Sequence, residues 1–120
     1  MATIELNQAN FEDVVGGKDM VIVDFWAPWC GPCVSFAPTY EKMSEKFPGI
    51  VFGKVNTEAE QELAGSFQIR SIPTLMVFRE NIIVYSEAGA LPASGLEQLI
   101  EQAQNLDMEQ VHKDIAAQAN

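Results

Sequence analysis

A chain of 120 residues has room for one domain with a substantial core and not for a second. Seven Lys and Arg stand against 17 Asp and Glu, a formal charge of −10, which argues against nucleic-acid and anionic-membrane binding, where basic surfaces supply the energy. No run reaches the roughly 18 apolar residues of a membrane span, and Met1 to Leu6 lacks the basic and apolar regions of a secretory signal, so a soluble cytoplasmic chain is expected.

Thr3 to Leu6 is a short β-prone run, and Asn7 or Asn10 offers a cap for a helix carrying Phe11, Val14 and Val15. Gly16-Gly17 ends that helix. Met20 to Trp26 is nearly continuous in apolar β-formers, the pattern of a central strand buried on both faces. Pro28 closes the strand, and Pro32 falls in the first turn of the next helix, where no backbone donor is needed. From Cys33 to about Lys46, residues Val34, Phe36, Ala37, Tyr40, Met43 and Phe47 recur at helical spacing, with Pro38 expected to kink the helix. Pro48-Gly49 stops it and Ile50 to Val55 is a further strand.

Glu58 to Ala64 reads as a helix with Thr57 as N-cap and Gly65 at its end, its acidic residues forming a solvated face. Thr74 to Phe78 and Ile82 to Tyr85 are β runs joined by Arg79-Glu80-Asn81, a hairpin-length connection in which Asn81 tolerates a positive φ. Leu91-Pro92-Ala93-Ser94 opens a helix carrying Leu96, Leu99, Ile100 and Ala103. This order predicts an α/β fold, a central mixed β-sheet flanked by helices on both faces. Beyond Asn105, Asp107 with Gln110 gives a capping-box-like start, and Met108, Val111, Ile115 and Ala119 form a narrow apolar stripe. An extra C-terminal helix is expected there, packing on the domain's own surface in preference to docking a partner.

Both cysteines of the chain, Cys30 and Cys33, lie in Trp29-Cys30-Gly31-Pro32-Cys33 directly after the central strand. Residues three apart in a helix share a face with Cβ atoms about 5–6 Å apart. A disulfide needs Cα atoms about 4.4–6.8 Å apart, so the pair can join and separate with little backbone movement. In a reducing compartment such a pair is catalytic or metal-binding before it is structural. Zinc would need about four ligands, whereas the chain adds only a distant His112, read as a solvent-facing helix residue.

Asp24 is the one charged residue in Met20 to Trp26. Desolvation raises a buried carboxyl's pKa and suits it to accept a proton, although a carboxylate at a sheet edge or paired for structure fits the pattern equally. Lys54 is the lone base in Ile50 to Val55, and exposure at a strand end is its ordinary explanation. The Ile72-Pro73 bond is open to either isomer, since a trans proline can begin an edge strand.

The Trp29 to Cys33 motif, the strand Val23 to Ala27 before it, Ile72-Pro73-Thr74 and Gly89-Ala90 occur in an order that resembles the thioredoxin family. The resemblance covers residues 1 to 104, leaving 105 to 120 as a C-terminal helical extension. It implies the thioredoxin fold and a protein-disulfide reductase, a dithiol electron carrier without bound cofactor or metal. A thioredoxin reductase fed by NADPH would supply the electrons, and disulfide-containing proteins would be the substrates. A monomer is the default state.

By the same resemblance Cys30 is the nucleophile, its pKa lowered at the helix N-terminus, and Cys33 is the resolving thiol. Asp24 becomes the proton acceptor for Cys33, with Lys54 beside it as a tuning charge. Pro73 becomes a cis-proline that sets the Ile72 backbone next to the dithiol. Trp29, Gly31, Pro32, Ile72 and Ala90 form a shallow apolar substrate surface, to which Trp26 belongs no more readily than to the core. Val34 departs from the pattern, because many members carry a basic residue there; its loss weakens thiolate stabilisation and alters the contact with a reductase.

Two rivals stand beside the reductase. One is an oxidase or isomerase in an oxidising compartment, which Gly31-Pro32 between the cysteines disfavours. The other is a binding module with a dispensable dithiol, compatible with the −10 charge and the extra helix.

Overall fold

The run Met20–Trp26 forms the strand around which the sheet is laid, and every residue of it except Trp26 is buried. The computed structural model describes residues 2–118. With β1 Thr3–Glu5, β2 Met20–Trp26, β3 Val51–Asn56, β4 Thr74–Arg79 and β5 Ile82–Ala88, the strand order is β1-β3-β2-β4-β5. The β1–β3 and β3–β2 pairs are parallel, and β2–β4 and β4–β5 are antiparallel, so the sheet is mixed as predicted.

Successive side chains of β2 face opposite sides. Ile22 points with Phe52, Leu75 and Val77 toward α2 (Gly31–Lys46) and α4 (Ala93–Gln104), which contribute Phe36, Tyr40, Met43, Leu96 and Ile100. Val21, Val23 and Phe25 point the other way, onto Phe11 and Val15 of α1 (Phe11–Gly16) and Leu63 of α3 (Gln61–Ser66). Each fully buried Val or Ile contributes about 1.5–3 kcal/mol, so these two clusters hold the layers together. The alternation sets Asp24 on the Ile22 side, beneath α2.

The helix starts differ from the expectation where a polar side chain found a distant partner. The Thr57 hydroxyl and N–H both donate to the Trp26 carbonyl, at 3.0 and 2.8 Å, so Thr57 staples β3 to the end of β2 and caps nothing. The Asn56 Oδ1 instead accepts from the Glu58 and Ala59 N–H groups, residues 57–59 form a turn, and α3 begins only at Gln61. Ahead of α1, both candidate caps are used in one turn. The Asn7 Oδ1 accepts from Ala9 and Asn10 N–H while the Asn10 Oδ1 accepts from Asn7 N–H.

The β4–β5 connection is a two-residue turn, with Glu80 at φ 50° and Asn81 at φ 66°. The positive φ foreseen for Asn81 extends to Glu80, and Arg79 ends β4 where the sequence suggested a turn. At the C-terminus α5 (Met108–Gln118) forms, and the Asp107 Oδ1 accepts from Gln110 N–H at 3.1 Å. The Gln110 side chain donates forward to Asp114, so the box closes on one side only. Of the stripe, Met108 is buried, Val111 half-buried and Ile115 43% exposed; Ala119 lies outside the described residues. Packing on the domain is therefore concentrated in the first turn of α5, with His112 Nε2 2.8 Å from Glu80 Oε1 further along.

Candidate active site

Cys30 is the N-cap of α2, its backbone extended at φ −88° and ψ 109°, and its Sγ accepts from the Cys33 N–H at 3.2 Å. Pro32 occupies the first turn, where its missing donor costs no hydrogen bond. Cys30 and Cys33 are joined in a disulfide with Cα atoms 5.2 Å apart, within the reach that their spacing allows. Cys33 is 2% exposed and Cys30 6%, so Cys30 forms the more accessible edge of the pair.

The other segments converge on that edge. The Ile72-Pro73 bond is cis, and the Ile72 carbonyl oxygen lies 3.8 Å from Cys30 Sγ. The Gly89 N–H donates to the Pro73 carbonyl at 2.7 Å and ties the 89–90 loop to the proline loop, with Gly89 at φ +109°, a conformation glycine adopts without strain. Trp26, Ala27 and Ile72 pack around the sulfurs. Trp29 is 70% exposed, Gly31, Pro32, Val34 and Ala90 are exposed, Ile72 is half-buried and Pro73 is buried. The surface around the sulfur is thus apolar and open. A groove of about 760 Å³ lies elsewhere, lined by Phe11, Phe67, Phe78 and Ile83.

On the strand that leads into the dithiol, Asp24 is fully buried, and neither carboxylate oxygen has a hydrogen-bond partner among the described residues. Burial pushes its pKa from 3.8 up to about 7, against the pull of the Lys54 charge. Lys54 is its register partner on β3, with Nζ sitting 4.5 Å from the centre of the Trp26 ring. Trp26 is half-buried and its Nε1 is also without a partner among the described residues. So Asp24 and Lys54 are brought together as the resemblance implied, while Trp26 serves the core and the lysine at once.

Sequence reasoning treated Tyr40 only as an apolar helix position. It is fully buried, its hydroxyl lies 3.0 Å from the Ile22 carbonyl oxygen and 2.8 Å from that of Gly53, and burial, then the Asp24 charge, raise its pKa well above the usual range. The signal was available: a tyrosine on the buried side of a helix carries a hydroxyl that must find a partner. His112 is exposed and Glu58 is a surface residue, as expected. Among the described residues no three His, Cys, Asp or Glu side chains gather as a metal site, and no helix is long and apolar enough to cross a membrane.

A reversible sulfur pair capping a helix, opposite a cis-proline loop on a mixed sheet, defines a thiol–disulfide oxidoreductase. The family model described as Thioredoxin matches residues 2–102, and the chain belongs to the thioredoxin family. A thioredoxin 2 relative from Streptomyces coelicolor is 51% identical over 98% of this chain and 87% of its own length. The thioredoxin of Haemophilus influenzae is 40% identical over 82% of this chain and 94% of its own, so that alignment leaves out more of this chain. Among solved structures, Plasmodium falciparum thioredoxin superposes with a TM-score of 0.77 at 39% identity, over 83% of this chain and 97% of that one. A mutant thioredoxin from Halobacterium salinarum gives 0.79 at 31% identity, over 87% and 91%. The fold is the thioredoxin fold with an additional C-terminal helix, and the protein is a protein-disulfide reductase.

Proposed function

We propose that Cys30 attacks and Cys33 resolves. In the reduced protein the Cys30 thiolate, favoured by the N–H groups and positive end of α2, attacks one sulfur of a substrate disulfide. A Cys30–substrate disulfide forms, and the displaced substrate sulfur leaves as a thiolate and takes a proton. Asp24 accepts the Cys33 proton through a water molecule, and the Cys33 thiolate attacks Cys30 Sγ. The second substrate thiolate departs, two electrons have moved to the substrate, and the Cys30–Cys33 disulfide remains. Lys54 favours the ionised Asp24 and so sets how readily it takes the proton.

Trp29, Gly31, Pro32, Ile72 and Ala90 form the substrate surface, with buried Pro73 holding the Ile72 backbone free to pair with an extended segment beside the scissile disulfide. An open apolar surface suits many protein disulfides better than one small molecule, which would favour a concave pocket. Val34, 55% exposed in the first turn of α2, continues that surface and supplies no charge to the thiolate. The electrons come from a thioredoxin reductase fed by NADPH, the carrier acts as a monomer in the cytoplasm, and no cofactor or metal takes part. Residues 1–104 form the redox domain and 105–120 its extension.

The observation that carries this reading is a pairing of two features: Cys30 Sγ accepts the Cys33 N–H at the start of α2, and the buried Asp24 on the strand leading into it has no partner among the described residues. Insulin-disulfide reduction with NADPH and a thioredoxin reductase tests it. Cys30→Ser is expected to abolish turnover, and Cys33→Ser to accumulate the mixed disulfide. Turnover retained by Cys30→Ser would overturn the assignment, and a reduction potential as oxidising as that of protein disulfide isomerase would favour the oxidase.

A further inference from the structure

Cys33, Phe36, Tyr40 and Met43 line the buried face of α2, so Tyr40 lies two turns below the resolving sulfur on the same side. Its ring is already held, with centroids 5.7 Å from Phe36 and 5.4 Å from Phe52, and a phenylalanine would fill that space equally well. The hydroxyl is a fully buried polar group, costly unless bonded. It is bonded twice over, within 3.0 Å of the Ile22 carbonyl on β2 and 2.8 Å of the Gly53 carbonyl on β3. One hydroxyl hydrogen serves two acceptors on adjacent parallel strands, so the oxygen is centred above the seam between them. Ile22 stands two residues before Asp24 on the same face, and Gly53 immediately precedes Lys54, the register partner of Asp24.

We propose that Tyr40 is a positioning residue for the resolution step: its hydroxyl fixes α2 to β2 and β3 at the level of the Asp24–Lys54 pair and so holds Cys33 in register over the carboxylate. This rests on the reading of Asp24 as the proton acceptor for Cys33. The charged and titratable groups coupled to Asp24 are Lys54 from β3 and Tyr40 from α2, with Cys33 on the same buried face of α2 and Glu41 next to Tyr40 and bonded to the Thr3 hydroxyl; β4 pairs Leu75 with Asp24, and α4 adds Leu96 and Ile100 to that side of the sheet. The Asp24 charge acts on the Tyr40 hydroxyl, so the two groups are within electrostatic reach of one another on the α2 side of the sheet.

Tyr40→Phe keeps the ring and deletes the bridge. Release of the first and second substrate thiols is followed in single turnovers from pH 5 to 9, with thermal unfolding measured alongside. The first release is expected within about twofold of wild type, while the second slows about threefold or more at pH 7 and its pH inflection moves by about half a unit. In an Asp24→Asn background, Tyr40→Phe is expected to add no further slowing of the second release. A lower Tm with the second release and its inflection unchanged overturns the proposal, because packing alone would do that. If Asp24→Asn itself leaves the second release unaltered, the proton-acceptor reading falls and this proposal with it. A normal Asp24→Asn effect beside an inert Tyr40→Phe overturns the Tyr40 role alone.

Discussion

Asp24 and Arg79 are the charged side chains that the core of the described residues buries, and they sit at opposite ends of the sheet. The Arg79 Nη1 donates to the carbonyl oxygens of Ala103 and Gln104, and Nη2 lies 3.4 Å from Asp19, leaving only Nε without a partner among the described residues. Those carbonyls end α4, where the helix dipole is negative, so the guanidinium caps a helix and joins it to β4. Asp24 has nothing comparable. Both of its oxygens are unpartnered among the described residues, and the Lys54 charge acts on it from the neighbouring strand. Removing either side of the Arg79 contacts would leave a buried group unpaired, whereas Asp24 already stands so, which lowers stability and makes it the candidate for chemistry.

The largest effect expected from testing this contrast is at Asp24. Its pKa of about 7 against 3.8 means that between pH 4 and 7 the folded chain keeps a proton that the unfolded chain has lost. Stability from this group therefore falls as pH rises through that window and levels off above it. Asp24→Asn should stabilise the protein by up to about 4 kcal/mol at pH 8 and by almost nothing at pH 4, measured by denaturant unfolding at both. Equal effects at the two pH values would mean that the carboxyl is not held neutral by burial.

Arg79→Met should do the reverse. Stripping the α4 carbonyls of their donor is expected to cost about 2–3 kcal/mol in the same unfolding experiment, with insulin reduction unchanged per folded molecule. Loss of turnover in excess of the unfolded fraction would break the division between the two ends. The smallest effects belong to α5. Met108→Ala should cost about 2 kcal/mol and Ile115→Ala less than about 0.5 kcal/mol, because only the first is buried. Deleting residues 106–120 should lower Tm about as far as Met108→Ala does.

What the sequence made legible was whatever local pattern decides. The apolar run of β2 exposed Asp24 as its one anomaly, and the C-G-P-C spacing marked a reversible pair. Arg79 was hidden, because a base next to a turn looks solvated until the end of α4 comes to meet it. Thr57 was misread for a similar reason: its hydroxyl had a choice between its own helix and the Trp26 carbonyl, and only tertiary structure offered the second. Tyr40 counted as apolar until its hydroxyl was given two acceptors. The cis bond before Pro73 has no periodicity to reveal it, and came only through the resemblance. In α5 the stripe was visible, but the extent of surface available to cover it was not.

The bare carboxyl of Asp24 would set durability against speed. On the role proposed for Asp24, the proton that firms the fold in mild acid is also the one that would fill the seat Cys33 needs, so steadiness and readiness pull in opposite directions. As pH climbs toward 7 the seat empties, and the fold gives up that gain over the same interval.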